Sequence, residues 1–348
     1  MLQFCRRLCT TTTNSGLKEH SIGLMFPGQG SQHIGMGHDL YKNFPVAKDV
    51  FDQVDEILNY NLSKLIFHGD ETELKMTSNA QPAILTHSLA TLAVIQSESD
   101  VFDHTHIVMG HSLGEFTAAC AAGYMNLADG VKIVRARGVA MEASASQAGE
   151  TLMVAMMPLS YEKSQLLCER VIEESNNPNS SIYGMVCEVA NWNATNQVVI
   201  SGNKDAIQLA ITLGKEEFQV RRAIPLDVSA PFHCSLLHSV EQEVKCLLNN
   251  NNCRTSTKNK PQMITNIDGT LQNNWNNIRS DLSKQTCKTV KWVRCMDTAI
   301  NQTDTETWYE VGPGVTLSTL MKRHVPKHYQ VWSSNDLIKQ FLSSGKED

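Results

Sequence analysis

Short apolar runs, each stopped by turn-forming residues, punctuate this 348-residue chain. Ile22-Gly23-Leu24-Met25-Phe26 has the pattern of a buried strand. It runs into Pro27-Gly28-Gln29-Gly30-Ser31-Gln32, a loop dense in turn formers. Residues 41–58 and 83–95 carry apolar side chains at helical spacing. Ile107-Val108-Met109 reads as a second buried strand, and the alanine-rich stretch 115–122 as a helix. Residues 129–143 predict a further helix, which bears Arg135 and Arg137.

From Thr151 the pattern changes. Strands are predicted at 151–157, 185–190, 197–201 and 219–224, helices at 161–174 and 204–213, and a turn at 191–196. That order, βαββαβ, is the ferredoxin-like unit. It predicts a small domain, 150–222, inserted in a larger α/β domain made of 21–149 and 223–335. Residues 336–348 read as a C-terminal tail. Met263-Ile264-Thr265-Asn266 and Trp308-Tyr309-Glu310-Val311 are late strands, and Gly312-Pro313-Gly314 turns the latter into a final helix at 317–323. The asparagine-rich stretches 249–252 and 273–277 read as surface loops.

Composition narrows the function. A net charge of −6 argues against a general nucleic-acid binder. No apolar run approaches the roughly 18 residues of a membrane span. Ten cysteines, with no C-x-x-C pair, read as reduced and mostly buried thiols. The first 20 residues differ from the rest: Arg6, Arg7 and Lys18 occur with hydroxyl residues and only one acid, Glu19. This start predicts a mitochondrial transit peptide over 1–20 and a matrix location.

The chemistry centres on Gly110-His111-Ser112-Leu113-Gly114, a G-x-S-x-G motif between a predicted strand and a predicted helix. Such a turn lifts a serine hydroxyl clear of the backbone, and the helix start offers N–H groups to an oxyanion. The serine needs a base, since its hydroxyl is protonated near neutral pH. Twelve histidines compete for that role. His111 adjoins the serine, but the turn directs the two side chains apart. His233 sits in Pro231-Phe232-His233-Cys234, where the chain leaves the small domain.

Phe26-Pro27-Gly28-Gln29-Gly30-Ser31-Gln32, Gln81-Pro82-Ala83, Gly110-His111-Ser112-Leu113-Gly114-Glu115, Arg137-Gly138, Val228-Ser229-Ala230-Pro231-Phe232-His233-Cys234 and Tyr309-Glu310-Val311-Gly312-Pro313-Gly314 occur in that order. The ordered set resembles the malonyl-CoA:acyl-carrier-protein transacylases of type II fatty acid synthesis, in a mitochondrial form, over residues 22–330. The resemblance implies a hydrolase-like parallel-sheet core with an inserted ferredoxin-like domain. It implies ping-pong transfer of malonyl from malonyl-CoA to the phosphopantetheine thiol of acyl carrier protein, by a monomer that needs no cofactor or metal.

The resemblance also assigns residues. Ser112 matches the nucleophile and His233 the base. Arg137 matches the residue that grips the malonyl carboxylate. Gln29 and Leu113 match the oxyanion-hole N–H donors, and Gln81 a site-lining glutamine. Phe232 matches the malonyl-selective form, and Asn266 a residue near the histidine. Gln285 matches the residue whose main-chain carbonyl orients that histidine, although Thr289 stands where the family has proline. Arg135 reads as a solvated helix residue. Lys322, Arg323 and Lys327, or Arg221 and Arg222, are candidates for docking the acidic carrier. A serine hydrolase or thioesterase of the same fold class, and a non-catalytic carrier-binding scaffold, are the alternatives.

Overall fold

The computed structural model describes residues 21–250 and 260–344. The expected transit segment lies outside the described residues, as do Asn251 and Asn252. In chain order the strands are β1 (Ile22–Phe26), β2 (Thr105–Gly110), β3 (Thr151–Met157), β4 (Cys187–Ala194), β5 (Gln197–Asn203), β6 (Arg222–Pro225), β7 (Gln262–Ile264), β8 (Leu271–Gln272), β9 (Thr307–Glu310) and β10 (Gln330–Ser333).

They form two sheets, ordered β10-β9-β1-β2-β7-β8 and β4-β5-β3-β6. The larger sheet is parallel except for β8, which runs antiparallel to β7 at one edge. Alternate residues of its strands enter opposite cores. Leu24, Phe26, Val108 and Met263 pack on one side, and Met25, Ile107, Met109, Ile264 and Trp308 on the other. A parallel sheet covered on both faces reads as continuous apolar runs, which is how β1 and β2 appear in the sequence.

The smaller sheet is antiparallel throughout, with β3 flanked by β5 and β6. This is the ferredoxin-like order. Val154 and Met156 face a core with Leu167, Val171, Ala206 and Ile207 from helices Tyr161–Ser175 and Lys204–Glu216. The alternate residues Met153 and Ala155 face the larger domain. Val290 N–H donates to Ala190 O and Trp192 N–H to Val290 O, both at 2.9 Å, which ties β4 to the larger domain.

Several elements differ from the sequence expectations. The small sheet runs to Pro225, past the boundary expected at 222, because β6 pairs with β3 over Arg222–Pro225. The turn expected at 191–196 shrinks to two residues. Register shifts at Val189/Asn191 and Trp192/Ala194 keep the polar stretch inside β4. The helix expected over 41–58 is two, His38–Asn43 and Pro45–Leu58, since Phe44 precedes a proline and is extended. The expected loop 273–277 instead starts helix Trp275–Lys284, where the Asn274 side chain accepts from Asn276 N–H. The helix expected last is followed by β10 and by helix Ser334–Ser344. The segment 336–348 is therefore not a simple tail: Leu337 and Ile338 are buried in the large core. Among the described residues, no helix is long and apolar enough to cross a membrane.

The C-terminal ends of β1, β2 and β7 lie side by side and open into loops 27–32, 111–112 and 265–266. Ligands of open parallel sheets bind at this end. Crowding there is severe. A Cβ on Gly114 would stand 1.9 Å from Phe26 O, and one on Gly110 2.0 Å from Gly114 C. Backbone cannot yield as a flexible side chain can. Gly114→Ala is expected to destabilise by about 4 kcal/mol and to lower the Tm by about 10 °C. Thermal unfolding of the purified variant checks this, and an unchanged Tm would contradict the packing.

Candidate active site

The serine turn is held from four directions. Ser112 has φ 53° and ψ −107°, a conformation that costs a residue with a Cβ about 1–3 kcal/mol. Its N–H donates to Asn266 Oδ1 at 2.8 Å. Asn266 Nδ2 donates in turn to Gly110 O at 2.7 Å. Gln285 Nε2 donates to Ser112 O at 2.8 Å, and Glu115 N–H donates to the same oxygen at 3.0 Å. One asparagine and one glutamine thus hold the strained turn. Helix Leu113–Ala121 follows directly, and the Leu113 N–H at its start has no acceptor within the helix.

His233 follows β6 on a loop, also at positive φ (59°). Its Nε2 lies 2.7 Å from Ser112 Oγ. Its Nδ1 lies 2.7 Å from the carbonyl oxygen of Gln285. A carbonyl only accepts, so Nδ1 carries the proton and Nε2 presents its lone pair to the hydroxyl. Burial, reinforced by the Arg137 guanidinium, lowers the His233 pKa to about 3. The imidazole is therefore neutral at physiological pH and able to accept the serine proton.

Arg137 projects from helix Leu127–Gln147 and is 2% exposed. Its Nη1 donates to Gln81 Oε1 at 2.9 Å, and its Nη2 to Gln285 Oε1 at 3.1 Å. Nη2 also stands 3.5 Å from Ser112 Oγ, and the guanidinium lies 5.3 Å from the centre of the Phe116 ring. Its Nε is buried with no partner among the described residues. Burial pulls its pKa down to about 9, which leaves it charged near neutral pH.

Glu115 is the nearby acid, and it too is wholly buried. Its Oε1 accepts from Asn266 N–H at 3.2 Å, while Oε2 has no hydrogen-bond partner among the described residues. Burial pushes its pKa up to about 8, so the carboxyl is mostly neutral at pH 7. Arg137 is thus a buried cation bonded to amide oxygens, and the carboxyl beside it is mostly neutral at pH 7. An unpaired buried charge costs several kcal/mol, and an incoming anion would relieve it.

A cleft of about 310 Å³ opens between the two sheets over Ser112 and His233. Gln29 and Phe232 line it, as do Met153, Ala155 and Val199 from the small sheet. The Gln29 amide donates to Thr77 Oγ1 at 3.1 Å. Arg137, Gln81 and Gln285 do not line this cleft but lie buried behind Ser112. The structure therefore brings Ser112, His233, Arg137, Gln81, Asn266 and Gln285 into one bonded cluster, with Gln29, Leu113 and Phe232 at its edge.

Further residues surround this cluster. Asn193 Oδ1 meets His111 Nε2 at 2.8 Å, and both line the cleft. Asn193 lies in the stretch expected as a turn and begins an N-x-T sequon, and neither feature marks it as a partner of His111. Glu115 had a usable signal, as a lone acid in an otherwise apolar helix start. Thr289, at the position where the family has proline, donates from Oγ1 to Val189 O at 2.7 Å. That bond fastens the loop to β4 where a ring would have stiffened it. Arg135 is not simply solvated, because its Nη1 donates to Ser78 O at 2.6 Å and Asn79 Oδ1 at 2.5 Å. Lys322, Arg323, Lys327, Arg221 and Arg222 are exposed.

Residues 24–320 match the family described as acyl transferase domain. The malonyl CoA-acyl carrier protein transacylase of Bacillus subtilis (strain 168) is 39% identical over 302 residues, covering 87% of this chain and 90% of that protein. The acyl-carrier-protein-S-malonyltransferase of Bartonella henselae has a similar structure, with a TM-score of 0.82 at 33% identity over 93% of this chain and 99% of that one. A malonyl-transacylase solved in complex with a type II PKS acyl-carrier protein gives a TM-score of 0.79 at 29% identity, over 90% and 94%. With its Ser112–His233 pair set in this shared fold, the chain belongs to the acyl transferase domain family and, within it, to the malonyl-CoA–acyl carrier protein transacylases.

Proposed function

We propose that this protein is an acyl-carrier-protein S-malonyltransferase of type II fatty acid synthesis, acting as a monomer in the mitochondrial matrix. The observation that carries the reading is a buried arginine 3.5 Å from a serine hydroxyl that is itself 2.7 Å from a neutral imidazole. The pair supplies acyl transfer and the arginine supplies a receptor for a carboxylate. Malonyl-CoA carries both a thioester and a carboxylate. The arginine-bearing start, with Glu19 as its only acid, supports the mitochondrial setting.

In this reading His233 Nε2 takes the Ser112 proton as Oγ attacks the thioester carbonyl. The N–H groups of Gln29 and Leu113 receive the oxyanion, each typically worth about 3 kcal/mol. The tetrahedral intermediate expels the CoA sulfur, which takes the proton from His233. A malonyl ester stays on Ser112. The phosphopantetheine thiol of acyl carrier protein then gives its proton to His233, attacks the ester and leaves as the malonyl thioester. Ser112 recovers its proton. The chemistry draws on side chains and backbone alone.

Arg137 distinguishes malonyl from acetyl. The carboxylate of a malonyl ester lies two carbons beyond the ester carbonyl, within reach of a guanidinium this close to Oγ. Paired hydrogen bonds to it would replace weaker ones to the amides of Gln81 and Gln285. An acetyl group would leave the buried charge unpaired. The Phe232 ring at the cleft supports a preference against a branched acyl chain, a smaller effect of about 1–3 kcal/mol. The hydrolase alternative expects a carboxylate on the histidine, whereas Nδ1 meets a peptide carbonyl.

Mixing the protein with malonyl-CoA and holo acyl carrier protein is expected to move one malonyl group to the carrier. Ser112→Ala is expected to move none, and free malonate in place of malonyl-carrier would indicate a hydrolase. Arg137→Ala is expected to lower kcat/KM for malonyl-CoA by about 100-fold or more while acetyl-CoA still acylates Ser112. Equal malonyl preference in variant and wild type would refute the arginine's role. The pH dependence follows from His233. Its lowered pKa keeps the base neutral well below 6.5, so malonyl-enzyme formation should stay flat from about pH 7, where Glu115 is mostly neutral, down to about 5. Stopped-flow release of CoA tests this, and a rate that halves near pH 6.5 would contradict it.

A further inference from the structure

The loop that brings the Gln285 carbonyl to His233 also carries Cys287, two residues further on. Cys287 is buried, and its Sγ donates to Glu241 Oε2 at 2.6 Å. The same sulfur lies 3.6 Å from His238 Nδ1, and that nitrogen lies 3.8 Å from Glu241 Oε2. His238 and Glu241 are at i and i+3 in helix His238–Asn250, the spacing that places two side chains on one face. One soft, one borderline and one hard donor thus converge from two separate elements. Neither His238 nor Glu241 belongs to the Ser112 cluster.

We propose that His238, Glu241 and Cys287 form an inhibitory zinc-binding site that acts through the loop holding His233. Thiolate, imidazole and carboxylate are the ligands zinc takes, and three of them leave a fourth position for water. Metal–ligand distances of about 2.0–2.3 Å in a tetrahedron set neighbouring ligand atoms about 3.4–3.7 Å apart. The sulfur–nitrogen and nitrogen–oxygen spacings already lie near that range. The sulfur–oxygen spacing falls short by about 1 Å, because a thiol proton bridges the two atoms instead. When Zn²⁺ binds, the S–H bond breaks, the proton passes to water and a sulfur–zinc bond forms. His238 is exposed, so the ion can arrive from solvent. Glu188, which also faces Cys287, adds negative charge, and the opposing cation Lys288 is exposed and screened.

The mechanical consequence follows from the short sulfur–oxygen distance. To admit the ion, Cys287 must draw back from the helix by about 1 Å. Gln285 O is held at 2.7 Å from His233 Nδ1 and lies only two residues away. Misplacing a catalytic base by about 1 Å can cost about 100-fold in rate. Zinc is therefore expected to slow acyl transfer, an effect that rests on the transacylase reading, whereas binding does not.

Cobalt(II) is the spectroscopic probe. Titrating the metal-free full chain with Co²⁺ is expected to raise a thiolate-to-cobalt charge-transfer band that saturates at one equivalent. The band should vanish in Cys287→Ser and weaken at least tenfold in apparent affinity in His238→Ala. Absence of the band, or its persistence in Cys287→Ser through another thiol, overturns the site. One equivalent of Zn²⁺ should slow malonyl transfer to carrier by about 100-fold in wild type, while His238→Ala stays active and insensitive. Zinc binding without inhibition overturns the coupling to His233. Failure of the transacylase reading would appear separately, as no transfer in metal-free buffer.

Discussion

The hydrogen bond from His233 Nδ1 to the Gln285 carbonyl is the contact on which the site depends. It fixes which ring nitrogen bears the proton, and so aims a lone pair at Ser112 Oγ. The same Gln285 reaches Ser112 O through Nε2 and Arg137 through Oε1. One residue therefore sets the base, the nucleophile's backbone and the cation. None of these positions is local in sequence. Ser112 comes from the end of β2, His233 from the loop after β6, and Gln285 from the end of helix Trp275–Lys284. The fold's task is to hold those three segments in register, and the glycine contacts between Gly110, Gly114 and Phe26 show how little slack remains.

Around that contact the charges are kept unbalanced. A charged Glu115 beside Arg137 would compete with any incoming carboxylate. Burial keeps Glu115 mostly neutral near pH 7, and its Oε1 serves instead as the acceptor for Asn266 N–H. The guanidinium rests on amide oxygens, which satisfy hydrogen bonds without neutralising charge. An anionic acyl group is the kind of ligand that repairs this deficit. The buried cation also keeps His233 unprotonated, since it adds to the desolvation that lowers the imidazole pKa.

Much of this was legible in the sequence, but unevenly. The small domain could be read because its strands and helices alternate cleanly, and β3 matches its expected span of 151–157. Ser112 could be read because its motif has a mechanical cause in the turn. His233 could not be chosen from spacing alone among twelve histidines, because its partner is 121 residues away. The Gln285 role was the hardest to derive, since a main-chain carbonyl leaves no mark on residue identity. The neutral state of Glu115 depends on burial by distant elements and has no sequence signature. At the C-terminus, Leu337 and Ile338 carry an apolar signal that fits a helix docked on the core rather than a tail. At Asn274 a polar run concealed a helix cap, because capping residues and loop residues are the same types.

The most direct test of the account is a crystal structure of the protein after exposure to malonyl-CoA. A malonyl ester on Ser112 Oγ, with its carboxylate paired to the Arg137 guanidinium and Gln285 O still on His233 Nδ1, is the predicted result. An ester whose carboxylate points into the cleft, away from Arg137, would contradict it. So would an acyl group carried on any residue other than Ser112.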